Sequence, residues 1–167
     1  MTCPAVVTGI RSSLGRFQES PAVSVMISQT TEYALRAVVY LATNSDRLVS
    51  RNTIAEATCV PTDYLTKVLQ GLDRANIVVA QRGPGGGYQL HDSPEDISVY
   101  DVVEAISAVP RIRECPLGIK EHAKLCPLHK RLDEAAELVE KAYRATKISE
   151  LIPATKSGVS CKFPKVE

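Results

Sequence analysis

The string Arg82-Gly83-Pro84-Gly85-Gly86-Gly87-Tyr88, set between two strand-like runs, constrains this chain more than any other stretch. Residues 77–82 and 87–90 carry strand formers on either side of Gly83-Pro84-Gly85-Gly86, which predicts a β-hairpin with a glycine-rich tip. Such glycines also let backbone amides approach a phosphate. A nucleotide cradle, however, needs a Lys-Ser/Thr after the glycines and a helix N-terminus, whereas Gly87-Tyr88-Gln89-Leu90 continues as a strand. A tip bearing Arg82 suits insertion along a nucleic-acid groove, where arginine reads shape and negative potential. A plain surface hairpin is the alternative.

Upstream of the hairpin the periodicity is helical. Ser28, Thr30 and Thr31 offer N-cap side chains, after which Tyr33, Ala34, Ala37, Val38 and Leu41 fall on one face. Beyond a polar break at 44–47, a short helix over about 52–58 buries Ile54 and Ala55, and Cys59 reads as a small core residue. A third helix opens at Pro61-Thr62-Asp63, with proline pre-set for a first turn and Asp63 near the positive end of the dipole. Leu65, Val68, Leu69 and Leu72 recur at i, i+3, i+4 and i+7, leaving Thr62, Asp63, Thr66, Lys67, Gln70 and Arg74 outside. Helices in this order, the last two joined by a tight turn and followed at once by a hairpin, predict a winged helix-turn-helix.

Downstream, Ser98-x-x-Asp101 forms a capping-box variant. Val99, Val102, Val103, Ile106 and Val109 give a fourth helix its apolar stripe, and Pro110 ends it. After a loop at 111–127, Leu128, Leu132, Ala135, Val139 and Ala142 make a narrow a/d-type seam on a long helix. That seam fits a contact between two copies of the chain; packing on its own domain is the alternative. The loop itself carries Cys115-x6-His122-x3-Cys126-x2-His129, and both cysteines precede proline. Thiolate and imidazole donors at such density suit an iron–sulfur cluster or zinc, with chance clustering the bland reading.

Composition excludes some classes. The chain has 167 residues, 44% hydrophobic and 23% charged, and no apolar run long enough to span a membrane. Net charge is +1, and within 26–94 Arg36, Arg47, Arg51, Lys67, Arg74 and Arg82 balance Glu32, Asp46, Glu56, Asp63, Asp73 and Asp92. Attraction to a polyanion must then come from charge placement on one face rather than from a global field. Five dispersed cysteines, without a basic-then-apolar leader, fit a reduced cytoplasmic protein better than a disulfide scaffold. Residues 1–25, rich in Ser, Gly, Pro and Val, read as a disordered extension or a mis-assigned start, with a transit segment as the weaker option. Residues 153–167 read as a flexible tail.

Ser28-Gln29-Thr30-Thr31-Glu32-Tyr33-Ala34-Leu35-Arg36, Tyr64-Leu65-Thr66-Lys67-Val68-Leu69 and the string at 82–88 resemble the IscR/NsrR (Rrf) family of winged-helix regulators. The resemblance runs over about 26–152. It implies a mainly α fold with a small β-hairpin: a winged helix-turn-helix at 26–94, then a linker helix, Cys/His loop and long C-terminal dimerisation helix over 95–152. It also implies a transcription regulator, usually a repressor, that binds a pseudo-palindromic site in double-stranded DNA as a homodimer. Carried over, the DNA contacts fall on Thr62, Asp63, Tyr64, Thr66, Lys67, Arg82 and Gly83. Thr66 and Lys67 would face base edges or phosphates, and Thr62 and Tyr64 the backbone; packing is an equal reading for Tyr64.

Cluster-sensing members of the family carry three cysteines in this loop, with histidine after the third. Cys126-Pro127-Leu128-His129 matches the last pair and Cys115 stands near the first, but the middle cysteine is missing near Lys120. The resemblance therefore implies an iron–sulfur cluster, 2Fe–2S favoured, drawing on Cys115, Cys126, His129, His122 and Glu32 of the first helix. Zinc and no metal are the alternatives, and Glu32 equally serves as a first-turn carboxylate facing the helix dipole. Other classes remain on the table. A protein–protein contact module is one, and an enzyme built on the His122/Cys126 pair is another, though no orienting group for such chemistry can be read from the sequence.

Overall fold

Helix α1 (Gln29–Ala42) sits at the centre of the fold because nearly every residue on it is small or apolar; Ala34, Ala37 and Val38 are fully buried. The computed structural model describes residues 27–109, 111 and 126–152. Ser28 caps α1, its hydroxyl accepting from the Thr31 amide at 3.2 Å. The cap satisfies one of the donors that every helix start leaves unpaired. Around α1 pack α2 (Arg51–Thr58), α3 (Thr62–Arg74), α4 (Val99–Ile106) and the strand β2 (Gly87–Leu90).

The α2–α3 pair has the tight turn read from the sequence. Ser50 caps α2, and Ile54 and Thr58 are its buried residues. Cys59, expected in the core, instead takes the left-handed conformation (φ 55°) that closes α2 and stays half-buried. That position is more often glycine, since a Cβ is disfavoured there. On α3 the expected stripe Leu65, Val68, Leu69 and Leu72 is buried to 1% exposure or less.

Strand β1 (Val78–Gln81) pairs antiparallel with β2, in register from Val78 opposite Leu90 to Gln81 opposite Gly87. A further bridge joins Val49, just before α2, to Tyr88 through reciprocal amide–carbonyl bonds of 2.9 Å. The hairpin is thereby tied to the start of α2.

Helix α4 has both halves of the expected capping box at Ser98 and Asp101. It ends at Ile106, short of the expected stop at Pro110. Ser107 turns extended, and its hydroxyl lies 3.1 Å from that of Thr31, tying the end of α4 to the start of α1. Val109 then continues as non-helical chain, its amide donating to the Glu104 carboxylate at 3.0 Å. A local hydrogen-bond alternative thus ends the helix before proline can.

Helix α5 (Pro127–Ala145) starts with proline at its first position and Cys126 as N-cap. It rests on α4 through Arg144, whose guanidinium stands 3.4 Å from the centre of the Tyr100 ring. Arg111 reaches the middle of α5, bonding Asp133 at 2.9 Å and Glu140 at 3.4 Å. Beyond α5 the chain returns to the core: Ile148, in the short α6 (Ile148–Leu151), is fully buried, and its amide bonds the Ile97 carbonyl at 2.9 Å. Of the expected seam on α5, Leu128 and Leu132 are 46% and 41% exposed, Ala135 and Ala142 are exposed and Val139 is half-buried, so among the described residues the core does not cover most of it. No helix among the described residues is long and apolar enough to cross a membrane.

Candidate nucleic-acid interface

Helix α3 buries one face against α1 and so must turn the opposite face outward. Thr62, Asp63, Tyr64 and Lys67 are exposed there, and Thr66 is half-buried. The Thr66 hydroxyl donates to the Thr62 carbonyl at 2.8 Å and accepts from the Arg51 guanidinium at 3.3 Å. Tyr64 has features of both readings offered for it. Its ring meets Tyr33 edge-on, with centroids 6.0 Å apart, yet 52% of the residue remains exposed. Burial raises the Tyr33 phenol above its ordinary pKa, so the inner ring of this pair is a neutral platform.

The wing is shaped by its glycines. Gly83 and Gly85 have φ of 104° and 77°, a region that side-chain-bearing residues rarely adopt, with open space around both. The tip is therefore a thin strip of backbone, with Arg82 exposed at its base. Between wing and α3 lies a cleft of about 360 Å³, lined among others by Arg51, Gln70, Asp73, Gln81, Arg82 and Tyr88. A second cleft of about 380 Å³ beside α4 is lined by Asp92, Asp96, Asp101 and Glu104, a set that repels polyanions.

Charge placement compensates for the balanced total. On α5 the cations are largely neutralised by carboxylates: Lys130 pairs with Glu134, Lys141 with Glu137 and Arg144 with Glu140. These bonds hold Glu137 and Glu140 below the ordinary carboxylate range. Arg51, Lys67 and Arg82 have no carboxylate partner among the described residues, as is also true of Arg47, Arg74, Arg131 and Lys147. Of these, Arg51 and Arg82 line one cleft, together with Asp73, and Lys67 is exposed on α3. Arg51 is the residue that sequence reasoning left out of this face; its closeness to Thr66 is a tertiary contact between two helices, with no signal in spacing.

The Cys/His set is divided. Cys115 and His122 lie outside the described residues. Cys126 and His129 share the first turn of α5, where the Cys126 sulfur accepts from the His129 amide at 3.4 Å. Cys126 is half-buried and His129 only 4% exposed. Glu32 lies on α1 and takes Arg36 as its partner, with Nε 3.1 Å from Oε1, while Arg36 also donates to the Thr58 carbonyl at 3.3 Å. Glu32 thus helps tie α1 to the end of α2. Among the described residues no three His, Cys, Asp or Glu side chains converge as a metal site.

Residues 27–154 match the Rrf2 family, described as an iron-dependent transcriptional regulator. The chain belongs to the Rrf2 family. A protein of Aquifex aeolicus described as an HTH-type transcriptional regulator is 32% identical over 132 residues, covering 77% of this chain and 92% of that protein. The HTH-type transcriptional regulator NsrR of Bacillus licheniformis is 33% identical over 103 residues, covering 61% of this chain and 72% of NsrR. Among solved structures, CymR, the global cysteine regulator of B. subtilis, is similar with a TM-score of 0.64 at 24% identity, covering 78% of this chain and 98% of CymR. IscR of T. potens is similar with a TM-score of 0.64 at 22% identity, covering 83% and 96%. These two likenesses carry the fold, which is the mainly α winged helix-turn-helix with its small hairpin. This Rrf2 protein is a transcriptional regulator, as are the Aquifex aeolicus and Bacillus licheniformis relatives by their descriptions.

Proposed function

We propose that this Rrf2 protein represses transcription from the cytoplasm by binding a pseudo-palindromic operator as a homodimer, α3 in the major groove and the wing against the adjacent minor groove. The observation that carries the reading is the pair Arg51 and Arg82 in the cleft between α3 and the wing, beside exposed Thr62, Asp63, Tyr64 and Lys67, half-buried Thr66 and the open tip at Gly83. The division of labour follows the chain: 26–94 reads DNA, and 95–152 pairs the copies and carries the Cys/His loop. Thr66 has a defined part. Its proton is committed to Thr62, so it can offer a base only an acceptor lone pair. Adenine N6 and cytosine N4 are the amino donors that fit in the major groove. The exposed Leu128 and Leu132 supply the apolar strip for pairing. Footprinting on the region upstream of the protein's own gene tests this. The reading expects two protected half-sites about one helical turn apart; a single unsymmetrical footprint counts against dimeric binding, and none at low salt against operator binding at that site.

A second reading concerns control. The family description is iron-dependent, and Cys126 with His129 stands at the head of the pairing helix. The chemistry of this pair fits an iron–sulfur cluster, 2Fe–2S favoured, or zinc; Cys115, His122 and Glu32 are the remaining donors the reading calls on. Bound there, a cluster would supply sensitivity to redox state, nitric oxide or iron–sulfur supply, while Cys126 and His129 hold the start of α5. Oxygen-free purification with visible absorption and iron, sulfide and zinc analysis tests it. A coloured protein with iron and sulfide in equal amounts is expected, and a colourless metal-free protein that still binds its operator contradicts it.

A further inference from the structure

We propose that Arg51 is a DNA-contacting residue, forming with Arg82 the two positive sides of a seat for one phosphodiester strand between α3 and the wing. The inference rests on the DNA-binding reading above. Major and minor grooves are separated by a sugar–phosphate strand, so a helix in one groove and a wing at the other must straddle that strand. The cleft of about 360 Å³ lies between these two elements. Arg51 and Arg82 both line it, Gln70 and Gln81 add amide donors, and Asp73 is the single carboxylate in the lining.

Arg51 is suited to this place for three reasons. It is the first residue of α2, where the positive end of the helix dipole adds to its own charge. It is exposed, and its one hydrogen bond among the described residues is a long contact of 3.3 Å to the Thr66 hydroxyl, which a phosphate oxygen can displace. The bridge between Val49 and Tyr88 fixes the wing to the residues just before α2, so Arg51 and the wing keep their spacing when DNA enters. Release of Arg51 to phosphate also leaves Thr66 facing the groove with one acceptor site freed. Phosphate grip and base reading are thereby coupled through one side chain.

The test is the affinity of the full chain for a random-sequence duplex of about 30 base pairs, because phosphate contact does not depend on sequence. Wild type, Arg51→Ala and Arg51→Lys are each titrated at about 50 and about 200 mM salt. Arg51→Ala is expected to bind about tenfold more weakly at the lower salt and about threefold at the higher, its log–log salt slope shallower by about 0.9. Arg51→Lys keeps the charge and is expected to restore the slope. An Arg51→Ala slope equal to wild type overturns the assignment, whether affinity is unchanged or reduced through Thr66 alone. Wild-type protein that binds no duplex at all overturns the DNA-binding reading itself. Should Arg51→Ala fail to fold, Arg51→Gln gives the same comparison.

Discussion

At the scale of single residues, Gly87 shows how one atom positions the wing. A Cβ there would stand 2.6 Å from the Val49 carbonyl oxygen, inside the bridge that ties the hairpin to α2. Backbone cannot yield as a flexible side chain can, so Gly87→Ala is expected to cost about 1–3 kcal/mol. A lower urea midpoint together with weaker DNA binding is the expected pair of results; unchanged stability would mean that the Val49 bridge does not hold the wing. The glycines of 82–88 were legible as a hairpin because turn chemistry is local. The need for glycine at 87 was not, since Val49 is remote in sequence. Cys59 shows the same boundary: its burial was inferred from residue type, but a left-handed helix end decided its place. Arg51, too, becomes visible only once α2 and α3 are packed.

At the scale of elements, legibility followed periodicity and capping. The stripe on α3 and the box at Ser98 and Asp101 were readable because each repeats within a turn or two of helix. The end of α4 is not, because the Val109–Glu104 bond that closes it leaves no periodic mark and the Thr31–Ser107 contact beside it depends on α1 lying alongside. Helix α5 is legible in its seam, on which Leu128 and Leu132 are exposed. Leu132→Glu puts a carboxylate into an apolar strip that pairing would bury, where an unpaired charge is strongly disfavoured. Sedimentation is expected to show a monomer with unchanged helix content; a dimer as tight as wild type would place the pairing surface elsewhere.

At the scale of the whole molecule, the hairpin, the three-helix unit and the later helices share one buried core. Ile97, Val102 and Ile148 lie in the same cluster as Ala34, Val38 and Leu69. The C-terminal end of α5 joins this core through α4, where Arg144 stands over the Tyr100 ring. The sequence did not signal the return of Ile148, because four residues of helix carry no readable period. Nor could the balanced charge of residues 26–94 reveal that Arg51 and Arg82 would line one cleft. DNA binding through α3 and the wing is read out in the salt dependence of duplex binding. The double variant Lys67→Ala/Arg82→Ala is expected to show a log–log slope shallower than wild type by about 1.8 and a large loss of affinity at low salt. A double variant with the wild-type slope and affinity would contradict it.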